Sequence, residues 1–236
     1  MGRQRFSEDE VLDAALGIVM RDGYKSVTAR RVADAAGCSA QPLYSRFGGM
    51  EGLMESLYER ALEWVAEYNR MHAHDAKTVF ASSGLAHIRI AREEPKLFEF
   101  LYHSRYMSAE SIEQFFSHVS QPGVEEEISA CYNLAPAAAH ALYIDMIVYT
   151  HGFASMLAVG ARFSDRELMR HLNSAFESFL EQAGSSCTNG KAQDRKGQVP
   201  PQAPRHPSLA AVSCNAMRAV SCHHARPHIV TPLEGR

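Results

Sequence analysis

The stretch TARRVADAAGCSAQPLYSRFGGMEGL, from Thr28 to Leu53, constrains the fold more than any other part of the chain. Thr28 can cap a first short helix that carries Val32, Ala33 and Ala36 on its inward face. Gly37 supplies the permissive backbone that ends it. Ser39 is then expected to cap a second short helix through Leu43, Tyr44 and Phe47. The start of a third helix follows at Glu51. Two short helices around a tight turn cannot bury their apolar faces alone, so the chain on either side must supply the packing.

Such a helix-turn-helix places its second helix in the major groove of DNA in known complexes. The formal charge of −3 over 236 residues gives no basic coat, so any DNA contact has to come from a local patch. Between Gly23 and Phe47 the charges are Lys25, Arg30, Arg31 and Arg46 against Asp34, and this segregation fits the motif. The spacing G-x-S-x-x-x-L-Y-x-x-F, here Gly37, Ser39, Leu43, Tyr44 and Phe47, followed by Glu51 and Leu53, resembles the signature of the tetracycline-repressor (TetR) family. The resemblance runs from Phe6 to Leu57; beyond that it survives only as architecture.

The expected DNA-contact set is Thr28, Arg30, Ser39, Ala40, Gln41, Pro42, Tyr44 and Arg46. Arg30 and Arg31 are adjacent and point about 100° apart, so they cannot share a job. The resemblance gives the base-reaching role to Arg30 and leaves Arg31 to solvent or phosphate. Gln41 can read adenine bidentately, and the Pro42 ring can meet a thymine methyl. The resemblance implies that the Tyr44 hydroxyl meets phosphate. Arg46 suits a phosphate or a guanine. Met50 departs from the family, which often has a lysine just before the acidic residue that opens the next helix. Backbone amides at that helix N-terminus can still hold a phosphate.

Ahead of the motif, Ser7-Glu8-Asp9-Glu10 forms a capping box that opens a helix through Val11, Leu12, Ala15, Ile18 and Val19, closed by Asp22-Gly23. Arg3 and Arg5 are expected near phosphate. After the motif a long helix runs from Glu51 to about His72, and in the resembled architecture it transmits ligand state to the head. Further helices are expected over 78–93, 95–106, 109–119 and 124–132, with no strand-like alternation. The resemblance places an effector cavity in this region, and Trp64, His87, Phe98, Tyr102, His103, Phe116 and Tyr149 are its expected lining. An aromatic stripe at helical spacing is more often the mark of a plain core than of a pocket. The aromatic content favours a small apolar or aromatic effector.

From Ala137 to Ala161 the chain is nearly all apolar, but His140, Asp145 and His151 interrupt it and argue against a membrane span. Leu142, Met146, Tyr149, Phe153, Met156 and Gly160 recur in a heptad-like seam, beside a small-residue stripe of Val148, Gly152, Ser155 and Val159. With the next helix, opened by a second capping box at Ser164–Glu167, this predicts a four-helix homodimer interface. Its expected residues are Met146, His151, Gly152, Phe153, Ser155, Met156, Leu172, Phe176 and Phe179. After Gly184 a basic segment with six prolines replaces the apolar pattern, and a disordered tail is expected over 185–236.

The five cysteines are scattered and form no C-x-x-C, and the Cys and His residues of the tail match no structural zinc spacing, so neither metal nor cofactor is expected. The start of the chain carries no apolar signal region, which points to a cytoplasmic protein. The expected fold is all-α. A helix-turn-helix head of three helices occupies 1–50, and a larger helical ligand-binding and dimerisation domain occupies 51–184. The function this implies is a dimeric DNA-binding transcriptional regulator. It would repress from a palindromic operator and be released by a small-molecule effector. Two alternatives stay open: a helical interaction protein, and a small-molecule-binding enzyme, without sequence-specific DNA binding. The second lacks any G-x-S-x-G, H-E-x-x-H or phosphate-cradling glycine loop, so no catalytic residue is assigned.

Overall fold

The computed structural model describes residues 7–189, with the side chains of Pro42 and 185–189 excepted. The expectations for Arg3, Arg5 and the Cys/His-containing tail beyond 189 lie outside the described residues. Among those described, the chain is all helical: α1 Glu8–Asp22, α2 Ala29–Ala36, α3 Gln41–Phe47, α4 Met50–Met71, α5 Val79–Glu93, α6 Pro95–His103, α7 Ile112–Val119, α8 Val124–Tyr132, α9 Pro136–Ala158 and α10 Asp165–Asn189. A 3₁₀ turn over Tyr24–Ser26 joins α1 to α2. The helices form two compact units. One holds 7–68 and Ile90–Ser108; the other holds Asn69–Arg89 and 109–189. Each unit has its own apolar core.

In the first unit the capping box is present as expected. Ser7 Oγ accepts from the Glu10 amide at 3.1 Å, and Glu10 Oε2 accepts from the Ser7 amide at 2.7 Å. Val11, Ala15, Ile18 and Val19 of α1, with Leu16, are buried against Val32, Leu43, Leu53 and Leu57. Helix α6 also belongs to this core. Its Phe100 stacks on Tyr24 at 5.5 Å and meets Tyr58 and Tyr106 edge-on at 5.6 and 5.8 Å. The Tyr58 hydroxyl donates to the Leu101 carbonyl at 2.9 Å, and burial pushes its pKa up to about 12. Arg60 on α4 donates from two nitrogens to Asp13 Oδ1 at 2.9 and 2.6 Å, which ties α4 to α1.

The second unit packs α9 against α8, α10 and α7. Glu127 of α8 reaches the start of α5, where its two oxygens accept from the Val79 and Phe80 amides at 3.0 and 2.8 Å. A carboxylate at that end satisfies two orphan amides and opposes the helix dipole. Ser111 caps α7 by accepting from the Gln114 amide at 3.2 Å, so α7 begins later than Ala109. Helix α6 ends at His103, short of Tyr106, because Ser104 turns extended. Helix α10 continues past Gly184 to Asn189.

The first half of the heptad-like seam of α9 faces inward, and its later members Met156 and Gly160 are exposed. Leu142 and Met146 are buried in their own core at 1% and 4% exposure, and Leu172 and Phe176 of α10 join them at 6% and 1%. Met146, Leu172 and Phe176 are therefore corrected from interface to core residues: the large side chains of the two helices fill the space between them. Phe153, Ser155 and Phe179 are half-buried. What α9 presents outward combines three members of the small-residue stripe, Val148 (49% exposed), Gly152 and Val159 (81%), with Met156 (42%) of the seam and with Asp145. By length and composition α9 could cross a bilayer. Yet Asp145 is exposed on it, and His140 lies between two carboxylates, charges that lipid would penalise heavily.

Candidate nucleic-acid interface

Helix α2 forms because Thr28, extended at φ −132°, accepts from the Arg31 amide at 3.4 Å. It ends because Gly37 is left-handed at φ 70° and returns its amide to Ala33 and Asp34. Helix α3 starts at Gln41, with Ala40 rather than Ser39 at the cap position and no side-chain cap. A serine cap bonds the amide two or three residues on; Pro42, three residues after Ser39, has no N–H and so removes one of those two donors. Gly48, left-handed at φ 69°, ends α3, and α4 begins at Met50. A Cβ on Gly52 would come within 2.0 Å of the Phe47 carbonyl oxygen, so the start of α4 closes directly on the end of α3.

Helix α3 buries one side and shows the other. Leu43 is 1% exposed and Phe47 packs against the core beside it. Gln41, Tyr44 and Ser45 recur at the three- and four-residue spacing that shares a helix face. With Ala40 they line one open hollow on the surface. Tyr44 is 60% exposed although it is a large aromatic. Arg46 is exposed but sits about 200° around the helix from Tyr44, at 100° per residue, so it flanks the hollow and does not line it. The ring of Pro42 lies outside the described side chains. Ser45 was not among the residues expected from sequence; its i,i+4 relation to Gln41 is the signal that finds it.

The charges sort themselves as well. Arg31 pairs with Asp22, donates to the Ser26 carbonyl at 3.3 Å, and so fastens α2 to the end of α1. That corrects its expected place at solvent or phosphate. Partial burial would raise the Asp22 carboxyl, but the hydrogen bonds from Arg31 and Arg21 overcome it and hold the group below the usual carboxylate range. Lys25 is 3.1 Å from Glu99, whose carboxylate raises the lysine pKa. Arg30 is 93% exposed, with Asp34 no nearer than 3.8 Å. Among the described contacts Arg46 has no ion pair. Of the four basic residues in the motif, Arg31 is fastened into the fold and Lys25 pairs with Glu99 while staying exposed, whereas Arg30 and Arg46 stand on the surface with Thr28, Ser39 and Gln41.

The residues expected around an effector fall into separate clusters. In the first unit Trp64 stacks on Tyr68 at 5.2 Å, while buried Phe98 meets Tyr102 at 4.7 Å and His103 at 5.6 Å. Burial raises the Tyr102 phenol. In the second unit His87 Nε2 lies 3.1 Å from His151 Nδ1. Burial, with the neighbouring imidazole, lowers His87 to about 3. Phe116 packs edge-on against His140 and Tyr143, and Tyr149 against Phe153 and Phe179. His151, expected at a dimer interface, is thus turned toward α5.

Residues 11–57 match the family profile described as bacterial regulatory proteins, tetR family. Among curated proteins none matches this chain. One similar solved structure is a TetR family transcription regulator from Marinobacter aquaeolei VT8, 19% identical, with a TM-score of 0.48 over 74% of this chain and 93% of the other. Another is the TetR family repressor AlkX from Dietzia sp. strain DQ12-45-1b, implicated in biodegradation of n-alkanes. It is 16% identical, with a TM-score of 0.43 over 78% of this chain and 98% of the other.

Proposed function

The head of this chain is a tetR-family DNA-binding domain, and from that premise we propose that the protein is a repressor that binds a palindromic operator as a homodimer and leaves it when a small apolar or aromatic effector binds. The observation that supports the DNA role best is the outward face of α3, where Gln41, Tyr44 and Ser45 surround one hollow while Leu43 anchors the opposite side. Two heads on one rigid dimer would meet half-sites about 34–36 Å apart. The effector must bind the DNA-incompetent state more tightly than the competent one, since only differential affinity moves the equilibrium. The protein would act in the cytoplasm, where the operator is.

Tyr44→Phe tests the head. Losing one phenol hydroxyl without changing the fold should weaken operator binding by about 0.5–1.5 kcal/mol, the worth of one hydrogen bond. Anisotropy titration against the intergenic DNA beside the protein's own gene reads this out, and unchanged binding would remove Tyr44 from the contact set.

The outward stripe of α9 supports the dimer. Val148, Met156 and Val159 expose large apolar side chains around Gly152, where a second helix can approach closely. A second copy of the chain is the partner we assign to it. Val148→Asp, beside Asp145, would place like charges on a two-fold axis and should convert dimer to monomer in sedimentation velocity. Operator affinity should fall with it. A dimer of undiminished stability would locate the interface elsewhere.

A further inference from the structure

Helix α7 is held to α9 through two histidines and through Tyr143, which meets the Phe116 ring. Of its eight residues only Phe116 is buried, and Ile112 is 54% exposed. Phe116 packs edge-on against His140 at 4.9 Å and Tyr143 at 5.1 Å. Glu113 Oε2 lies 3.2 Å from His140 Nε2. Phe115 meets the His151 ring edge-on at 5.5 Å. The other ring nitrogen of His140, Nδ1, lies 3.1 Å from Glu125 Oε1 of α8. One imidazole therefore spans α7, α8 and α9 with a carboxylate on each nitrogen.

A neutral imidazole has one N–H and one lone pair; only the imidazolium donates from both nitrogens. The charged groups facing His140 are Glu113 from α7 and Glu125 from α8. Glu127 of α8 is engaged by the α5 amides, and on α9 itself the Tyr143 hydroxyl accepts from the Gln121 amide at 2.9 Å. We propose that α7 is a pH-released strap, clamped on α9 by protonated His140 between Glu113 and Glu125 and freed when that proton is lost. Without the proton, one carboxylate must face the imidazole lone pair, and α7 keeps the ring packing of Phe116 and Phe115, with the Gln121 amide on Tyr143 just beyond its end. The turn at its end already bends at Gly123, left-handed at φ 80°.

The direction of titration follows. The Glu125 hydrogen bond is the largest cause that raises His140 above its ordinary 6.5; burial comes next and opposes it, and the charge of Glu125 with the hydrogen bond and charge of Glu113 add to the upward shift. A group raised in the closed state supports closure fully below its open-state pKa, and that support is lost as pH rises through the closed-state value.

Amide hydrogen exchange on the full chain, corrected for intrinsic rates, tests this between about pH 6 and about pH 9, a range that brackets an imidazole raised above its ordinary value. Peptides covering 109–121 should lose protection as pH rises, while peptides from the buried part of α9 keep theirs. His140→Gln should leave α7 unprotected at both ends of the range. Glu113→Gln, at a side chain 67% exposed, should flatten the pH dependence without disturbing the core. Ring-proton NMR should show His140 titrating above 6.5 in the wild type and falling back in Glu113→Gln and Glu125→Gln. Protection of α7 that does not change with pH, or that is equal in Glu113→Gln and wild type, would overturn the proposal.

Discussion

Phe100→Ala should cost the head about 3–5 kcal/mol, the usual range for emptying a buried phenylalanine site. Phe100 is fully buried, and its ring touches Tyr24, Tyr58 and Tyr106 from three sides. Those partners come from the 3₁₀ turn, from α4 and from the segment after α6, so no single side chain can swing in to fill the hole. Each aromatic pair adds about 0.5–1.5 kcal/mol beyond area burial. A domain is typically stable by only about 5–15 kcal/mol, so a large part of the margin goes. Trp64, the sole tryptophan, lies in the same unit and reports its unfolding by fluorescence in urea. The midpoint should drop with an unchanged slope. Phe100→Leu, which keeps most of the apolar volume, should recover more than half the loss. A shift under about 1 kcal/mol for the alanine variant, well below the range for filled cores, would mean that Phe100 does not hold the head together.

The head was legible because its determinants are local. The Thr28 cap, the left-handed Gly37 and the capping box of Ser7 and Glu10 each act within a few residues of themselves. Where the reading slipped, a second local rule competed with the first. Ser39 has the side chain of a cap, but α3 starts one residue later with Ala40 at the cap position, and Pro42 removes one of the two amides a Ser39 cap could use. Arg31 was a matter of distance: its partner Asp22 comes within reach only after the 3₁₀ turn folds the chain back, and periodicity says nothing about that turn.

In α9 the spacing showed apolar residues on more than one side, and the fold decides which of them, Met146 among them, meet the same chain. A helix apolar on every side has several stripes, and spacing alone cannot say which meets the same chain. Leu142 and Met146 fill the gap to Leu172 and Phe176, with Ala139 and Ala154 also buried, and Val148, Gly152 and Met156 are left outside. The two-histidine attachment of α7 was invisible for the same reason. Glu113, Glu125 and His140 are far apart in sequence and meet only through tertiary folding.

Arg46→Ala and Gln41→Ala should weaken operator binding in two different ways, and the difference tests where α3 sits in the groove. Arg46 lies well around the helix from the hollow, on the flank, where the sugar-phosphate wall would run. A phosphate contact positions the protein but carries no sequence information. Arg46→Ala should therefore lower affinity about equally for operator and scrambled DNA, and reduce the slope of log affinity against log salt by about 1. Gln41 lines the hollow at the start of α3, the end of a recognition helix that meets base edges. Its side-chain amide can donate to and accept from adenine, an interaction worth about 1–3 kcal/mol of discrimination. Gln41→Ala should relax the preference at one base pair in each half-site and leave the salt slope unchanged, because no charge is removed. Competition titrations over a panel of single-base operator variants, at several salt concentrations, separate the two. If Arg46→Ala instead relaxed preference at a single base pair with little change in non-operator binding, Arg46 would be reading a guanine. The helix would then be rotated in the groove from the orientation its exposed face implies.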